Sequence, residues 1–453
     1  YTRGKKNSPD DLVPYEHDGD DAYDVIEWIS KQNWCDGTVG MNGGSYNGFT
    51  QWAATKKLHP ALKTIVPSAA SAPGFDSPMM NNVVMSFPFP WTYYVSNNKF
   101  LDNEDYNNRK QWNDLEQKWF TAGTSFRTLD SLLGRPKNKI FNRWLDHPAY
   151  DKYWQNMIPY REQFSNINIP VLTTTGYYDG GQVGALYYMR ELNKYNAKAN
   201  QYLIIGPYGH FGSQGTPDSV YNGYKIDSVA NISITSIIFQ WFDYTLKQME
   251  KPAFLKDRIN YQVMGSNQWK HTSSLSGVSN DTLKFYLDNS NEGRLNPKKV
   301  AKSNYAQMKV DFSDRTSMNS YYYASRLLWR ELNNGGGVMY KSATLSEDTE
   351  FTGCFTGQMN VSINKKDMDY SAVLFEELPD GTYFYLTYFM GRASYAKDNG
   401  KRELLQPNKK TALPFSNSYF TSRKLSKGSK LVLIVNVNKS SSEQINYGTG
   451  KDV

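Results

Sequence analysis

Val39-Gly40-Met41-Asn42-Gly43-Gly44-Ser45-Tyr46-Asn47-Gly48-Phe49-Thr50-Gln51-Trp52 is a short apolar run that ends in glycines, presents one serine and passes at once into a helix-like stretch. That layout predicts a nucleophile elbow, a sharp strand-to-helix turn that exposes a hydroxyl at the mouth of an α/β sheet. Glycine at the flanks is a steric requirement, because the serine backbone is strained and a Cβ beside it would collide across the turn. The usual spacing is G-x-S-x-G. Here Asn47 stands two residues after Ser45 and glycine follows one later, at Gly48. A Gly/Ser/Asn loop is common in any protein, so the reading depends on what the flanking chain supplies.

The flanks supply an alternation of strands and helices. Residues 18–31 place Ala22, Val25, Ile26 and Ile29 at helical spacing, with acids in the first turn where the helix dipole favours them. A strand is predicted at 37–41, a helix from about Asn47 to Leu58, and a strand at 62–70. The pattern resumes with a strand at 170–175, a helix at 184–195, a strand at 201–205 and an amphipathic helix at 235–249. Strands alternating with helices predict a parallel, doubly wound sheet. Between its halves, residues 76–163 are rich in Trp, Tyr, Phe, Asn and Pro with helical patches, as expected of a helical cap over the carboxyl edge of the sheet. After Lys251 short alternating runs take over, among them 259–264, 283–287, 359–363, 372–376, 384–388 and 431–437. These predict an antiparallel sandwich or jelly roll.

Composition narrows the class. A chain of 453 residues is expected to hold two or three domains. No apolar run approaches about 18 residues, so no membrane-spanning helix and no membrane partner are expected. The net charge of +7 is spread along the chain without a dense Lys/Arg run, which argues against nucleic acid. The two cysteines, Cys35 and Cys354, are far apart, and no Cys/His spacing suggests a metal site.

A serine nucleophile needs a base, and the base needs an orienting carboxylate. Of the five histidines, His59 and His147 precede proline, His17 enters an acidic helix, and His271 falls in the expected sandwich. His210, in Ile204-Ile205-Gly206-Pro207-Tyr208-Gly209-His210-Phe211-Gly212, follows a sheet strand, and Asp179, in Thr175-Gly176-Tyr177-Tyr178-Asp179-Gly180-Gly181, follows the strand before it. Ligand and catalytic groups of doubly wound sheets gather at that end. Each residue alone reads as an ordinary turn former. Together their chain order, Ser45, Asp179, His210, is that of an α/β-hydrolase triad.

The runs WCDGTVGMNGGSYNGFTQWAA, TGYYDGG and IIGPYGHFG resemble the cocaine esterase-like (CocE/NonD) serine hydrolases, relatives of the X-Pro dipeptidyl-peptidases and α-amino acid ester hydrolases. The late glycine, as in G-x-S-Y-x-G, is a trait of that family. The resemblance covers nearly the whole chain, including QVMGSNQW at 262–269. It implies an α/β-hydrolase fold with a helical cap insertion, followed by an all-β jelly roll of X-Pro dipeptidyl-peptidase type. The expected division is a catalytic domain at 1–250, with its cap at about 76–163, and a jelly roll at 251–453. It further implies Ser45 as nucleophile, His210 as base, Asp179 as orienter and the Tyr46 backbone amide as one oxyanion donor.

A second donor, a tyrosine hydroxyl, lies in the family before a D-T-R-G segment that Tyr1-Thr2-Arg3-Gly4 resembles; it has no counterpart here and is not assigned to Tyr1. On that ground strands are expected to be missing before residue 1, leaving an open edge beside the elbow and weak activity. The implied substrate is a small-molecule acyl ester or amide or a short peptide, with no metal or cofactor. An X-Pro dipeptidyl-peptidase would need a cap carboxylate for the substrate amine, with Asp76, Glu104 and Asp105 as candidates. A carbohydrate- or protein-binding module with an inactive core is the alternative outside hydrolysis.

Overall fold

The computed structural model describes residues 2–290, 292–300, 304–319 and 325–451, and Tyr1 lies outside them. Its first sheet has six strands in chain order: β1 (Val39–Gly44), β2 (Leu62–Ser68), β3 (Val171–Tyr178), β4 (Gln201–Gly209), β5 (Ile259–Val263) and β6 (Gln268–Thr272). The first five run parallel, and β6 returns antiparallel to β5. Helices α1 (Asp18–Ser30) and α2 (Tyr46–Ala54) flank the first crossover. Successive residues of the central strands feed opposite cores. Ile65 and Val171 pack with Phe49 and Trp52 of α2, whereas Val66 and Leu172 pack on the other face. Burial on both faces is why these strands read as continuous apolar runs.

On that second face lies a late helix over Ile234–Lys247, which buries Ile234, Ile237, Ile238 and Trp241 at helical spacing. Ser233 caps it by accepting from the Ser236 N–H, and the Trp241 indole donates to the Thr64 hydroxyl at 2.8 Å. Between β2 and β3 the insertion folds into short helices, with α3 (Pro88–Ser96), α4 (Arg109–Ala122) and α5 (Lys139–Leu145) the largest. Their Phe89, Trp112, Trp119, Phe141 and Trp144 join the core of α2. The aromatic richness of this segment is therefore largely packing.

Several expected boundaries move. The first strand was read as ending at Met41 but runs through the glycines to Gly44; β3 extends to Tyr178 and β4 to Gly209. As a result Ser45, Asp179 and His210 are each the residue directly after a parallel strand. The run 259–264 and His271, expected in the sandwich, belong to the first sheet as β5 and β6, so that sheet continues beyond residue 250. Alternation in β5 and β6 signals strand but does not say which sheet a strand joins. One edge of β1 pairs with β2, and the other has no partner among the described residues.

The second sheet is all-β. In chain order its strands are β7 (Tyr286–Asp288), β8 (Arg294–Asn296), β9 (Leu328–Trp329), β10 (Val338–Lys341), β11 (Asp369–Glu377), β12 (Tyr383–Arg392) and β13 (Lys430–Val437). They associate in the order β7-β8-β10-β13-β11-β12-β9, with the long strands β11, β12 and β13 antiparallel at its centre. Two further antiparallel pairs, Thr349–Gly353 with Thr421–Leu425 and Gly357–Val361 with Thr411–Phe415, pack beside it. Cys35 and Cys354 are both free.

Candidate active site

Ser45 sits between β1 and α2 at φ 61° and ψ −120°. A serine pays about 1–3 kcal/mol for such a backbone and holds it only where the surroundings over-determine it. Here they do. The Ser45 N–H donates to the Ser68 carbonyl at 3.0 Å, and the Ser45 carbonyl accepts from Gly48 and Phe49 at 2.9 and 3.1 Å. Gly48 is glycine because α2 begins in contact with the end of β2: a Cβ there would stand 2.8 Å from Ala70 Cα and 2.9 Å from the Ser68 carbonyl oxygen. The late glycine of the motif thus has a packing cause. As the first residue of α2, Tyr46 carries a backbone N–H that no earlier turn of helix can satisfy. Its phenol donates to Asp18 Oδ2 at 2.8 Å and accepts from the Tyr15 N–H at 2.9 Å.

Asp179 is fully buried and accepts three hydrogen bonds. Oδ1 receives the Gly181 N–H at 2.9 Å and faces His210 Nδ1 at 2.7 Å, while Oδ2 receives the Thr175 hydroxyl at 2.7 Å. An acceptor-only carboxylate fixes the proton of the imidazole on Nδ1 and leaves Nε2 free as a base. Burial works against a charge on His210, but the field and hydrogen bond of Asp179, with a smaller contribution from Asp76, outweigh it and raise the imidazole pKa above its ordinary value. The ring remains about one-third exposed.

The structure thus joins two of the three residues directly. The Ser45 hydroxyl makes no hydrogen bond among the described residues; Gln214, which lies against Gly44, donates to the His210 backbone carbonyl. The other histidines are engaged elsewhere: His59 with Glu27, His147 with Asp151, and His271 with Asn260. The cap acids do not present an anchor for a substrate ammonium. Asp76 is buried, with Oδ1 on the Ala72 N–H and Oδ2 on the Gly184 N–H, and burial pushes its pKa up to about 8. Asp105 is held by both terminal nitrogens of Arg135, and Glu104 is an exposed surface residue of a short helix.

Sequence reading missed Thr175, Asp18, Tyr15 and Gln214. Thr175, in β3, lies four residues before Asp179, a spacing visible once a strand-end carboxylate is suspected. The other three meet the elbow only in three dimensions.

Residues 1–212 match the X-Pro dipeptidyl-peptidase (S15) family, and residues 255–451 match the X-Pro dipeptidyl-peptidase C-terminal non-catalytic domain. In both parts the chain is similar to the S15 serine hydrolases. It is 26% identical over 410 residues to cocaine esterase from Rhodococcus sp. (strain MB1 Bresler), an alignment covering 84% of this chain and 69% of that protein. The chain spans about two thirds of the length of the curated relatives it matches. Among solved structures, an α-amino acid ester hydrolase superposes with a TM-score of 0.76 at 17% identity, covering 99% of this chain and 79% of that one. A CocE/NonD family hydrolase from Staphylococcus aureus superposes with a TM-score of 0.70 at 18% identity, covering 99% and 75%. These place the fold as an α/β-hydrolase-like part followed by a β-rich part, the cap inserted in the first.

Proposed function

We propose that this hydrolase cleaves a carboxylic ester or amide through Ser45, His210 and Asp179, with an acyl-enzyme intermediate. The observation that carries the proposal is buried Asp179 paired with His210 at 2.7 Å, two and three strand ends along the sheet from a serine held in elbow geometry. Ser45 Oγ attacks the substrate carbonyl carbon while its proton passes to His210 Nε2. Asp179 keeps the imidazole in the tautomer that accepts that proton and stabilises the imidazolium that forms. The Tyr46 N–H, in the unsatisfied first turn of α2, donates to the developing oxyanion, where the positive end of the helix also lies. The tetrahedral intermediate collapses, His210 returns the proton to the departing alcohol or amine, and water deacylates Ser45 by the same steps.

Esters are the favoured substrates. A peptidase specific for a free amino terminus needs an available carboxylate at the site, whereas Asp76 and Asp105 are engaged by protein donors and Glu104 stands exposed on a short cap helix. We propose that the second, β-rich part is non-catalytic. A fluorophosphonate probe should label the wild-type protein and leave Ser45→Ala unlabelled, with turnover in that variant reduced by about 10⁴ or more. A panel of short acyl esters against Xaa-Pro anilides then decides the substrate class. Equal labelling of Ser45→Ala would remove Ser45 as nucleophile.

A further inference from the structure

Gly44 immediately precedes Ser45, where a sharp turn is one reason for a residue to lack a side chain. Its backbone says otherwise. Gly44 is not among the positive-φ residues and pairs regularly with Ser68 in β2. The atoms a side chain there would meet first belong to one neighbour. A Cβ on Gly44 would stand 1.8 Å from Oε1, 2.1 Å from Cδ and 2.6 Å from Cγ of Gln214, so that amide would have to leave its place. The three nearest atoms all belong to that one residue.

The other end of the same amide reaches the base. Gln214 Nε2 donates to the His210 carbonyl at 2.7 Å, and Ser213 Oγ donates to it at 3.1 Å. The turn is tied down on its far side as well, since the Ser213 carbonyl accepts from Thr174 Oγ1 of β3 at 2.6 Å. The Gln214 N–H itself closes the turn on the Phe211 carbonyl at 3.1 Å. Gln214 therefore touches the residue before the serine and the backbone of the histidine, and bridges two strand ends that the sheet keeps apart with β2 and β3.

We infer that Gln214 is a positioning residue that sets the approach of Ser45 to His210, and that Gly44 is glycine in order to admit it. This rests on the reading of Ser45 as nucleophile and His210 as base. Gln214 acts through the His210 backbone and touches neither ring nitrogen, so its loss slows the chemical step and leaves ground-state binding alone. A misplacement of about 1 Å between reacting groups costs as much as about 10²-fold in rate.

The test uses Gln214→Ala, Gln214→Met, Gly44→Ala and the double variant Gly44→Ala/Gln214→Ala, with kcat and KM on a short acyl ester, fluorophosphonate labelling rates and urea unfolding. Gln214→Met retains the bulk beside Gly44 and removes the donor to His210. Both Gln214 variants are expected to lose kcat and labelling rate by between about tenfold and about 10²-fold, with KM within about twofold. Gly44→Ala is expected to displace the Gln214 amide and lose about as much as Gln214→Ala, and the double variant to lose no more than either single one. A purely structural Gln214 would lower the unfolding midpoint and leave kcat and labelling of the folded protein unchanged. That result, or a double variant in which the losses of Gly44→Ala and Gln214→Ala add, overturns the inference. Should Gly44→Ala fail to fold, the Gln214→Met result decides alone. Labelling lost in Ser45→Ala but unchanged in Gln214→Met sinks this inference only; labelling unchanged in Ser45→Ala sinks the nucleophile reading beneath it.

Discussion

In the proposed mechanism Asp179 and His210 carry the chemistry that single residues decide. His210 must be neutral to accept the Ser45 proton, and its pKa is raised above the ordinary 6.5, so a larger share is protonated at any given pH than for a free imidazole. The acidic limb of kcat/KM is therefore expected to have its midpoint above pH 6.5, with activity rising as pH increases through it; a midpoint below that value would contradict the Asp179–His210 coupling. Asp179→Asn tests the same pair differently. An amide cannot accept from Thr175, Gly181 and His210 together, so it turns its NH2 toward one of these partners and the imidazole loses its tautomer. We expect kcat to fall by about 10⁴ with KM little changed. A loss smaller than about tenfold in steady-state assays would show that Asp179 does not orient the base.

At the scale of elements, the junction of β1 and α2 controls the geometry. The helix starts so close to the end of β2 that Gly48 meets Ala70 and the Ser68 carbonyl through backbone atoms, which cannot swing aside as a side chain would. Gly48→Ala is expected to push α2 outward and cost about 1–3 kcal/mol of stability, read as a lower urea midpoint at unchanged slope. Because α2 also carries the Tyr46 amide, activity should fall further than stability alone explains. Wild-type stability in that variant would mean the helix start is free to shift, and the packing account of the motif would be wrong.

The whole molecule adds a brace that neither part contains alone. The segment before the Thr421–Leu425 strand meets the loop that carries Asp179. Gln182, fully buried, donates Nε2 to the carbonyls of Gly176 and Phe420 and accepts the Phe420 N–H on Oε1 at 2.7 Å, while the Tyr419 phenol donates to the Gly180 carbonyl at 3.2 Å. The β-rich part therefore backs the acid of the proposed triad. Gln182→Leu leaves at least one buried N–H and one buried carbonyl without partners, at about 1–3 kcal/mol for each such group. Both a reduced unfolding free energy and a reduced kcat are expected. Reduced stability with unchanged kcat would limit the second part to a purely structural role.

How much of this was legible in the chain follows from the range of each interaction. The alternation of strands and helices, the elbow with its serine and the order Ser45, Asp179, His210 are local or ordinal signals, and local backbone sterics with apolar periodicity write them directly into sequence. The carboxyl ends of parallel strands necessarily share one edge, so three residues placed after three such strands lie along that edge. Sequence could not say that β5 and β6 join the first sheet, because pairing partners are set by long-range packing that strand periodicity does not encode. Nor could it separate Asp76 from a substrate anchor, since only folding brings the Ala72 and Gly184 amides to both its oxygens. Gln214 has no motif at all. Its meaning lies in an approach to Gly44 across 170 positions of chain, and a side chain that fills another residue's missing Cβ exists only in the folded state.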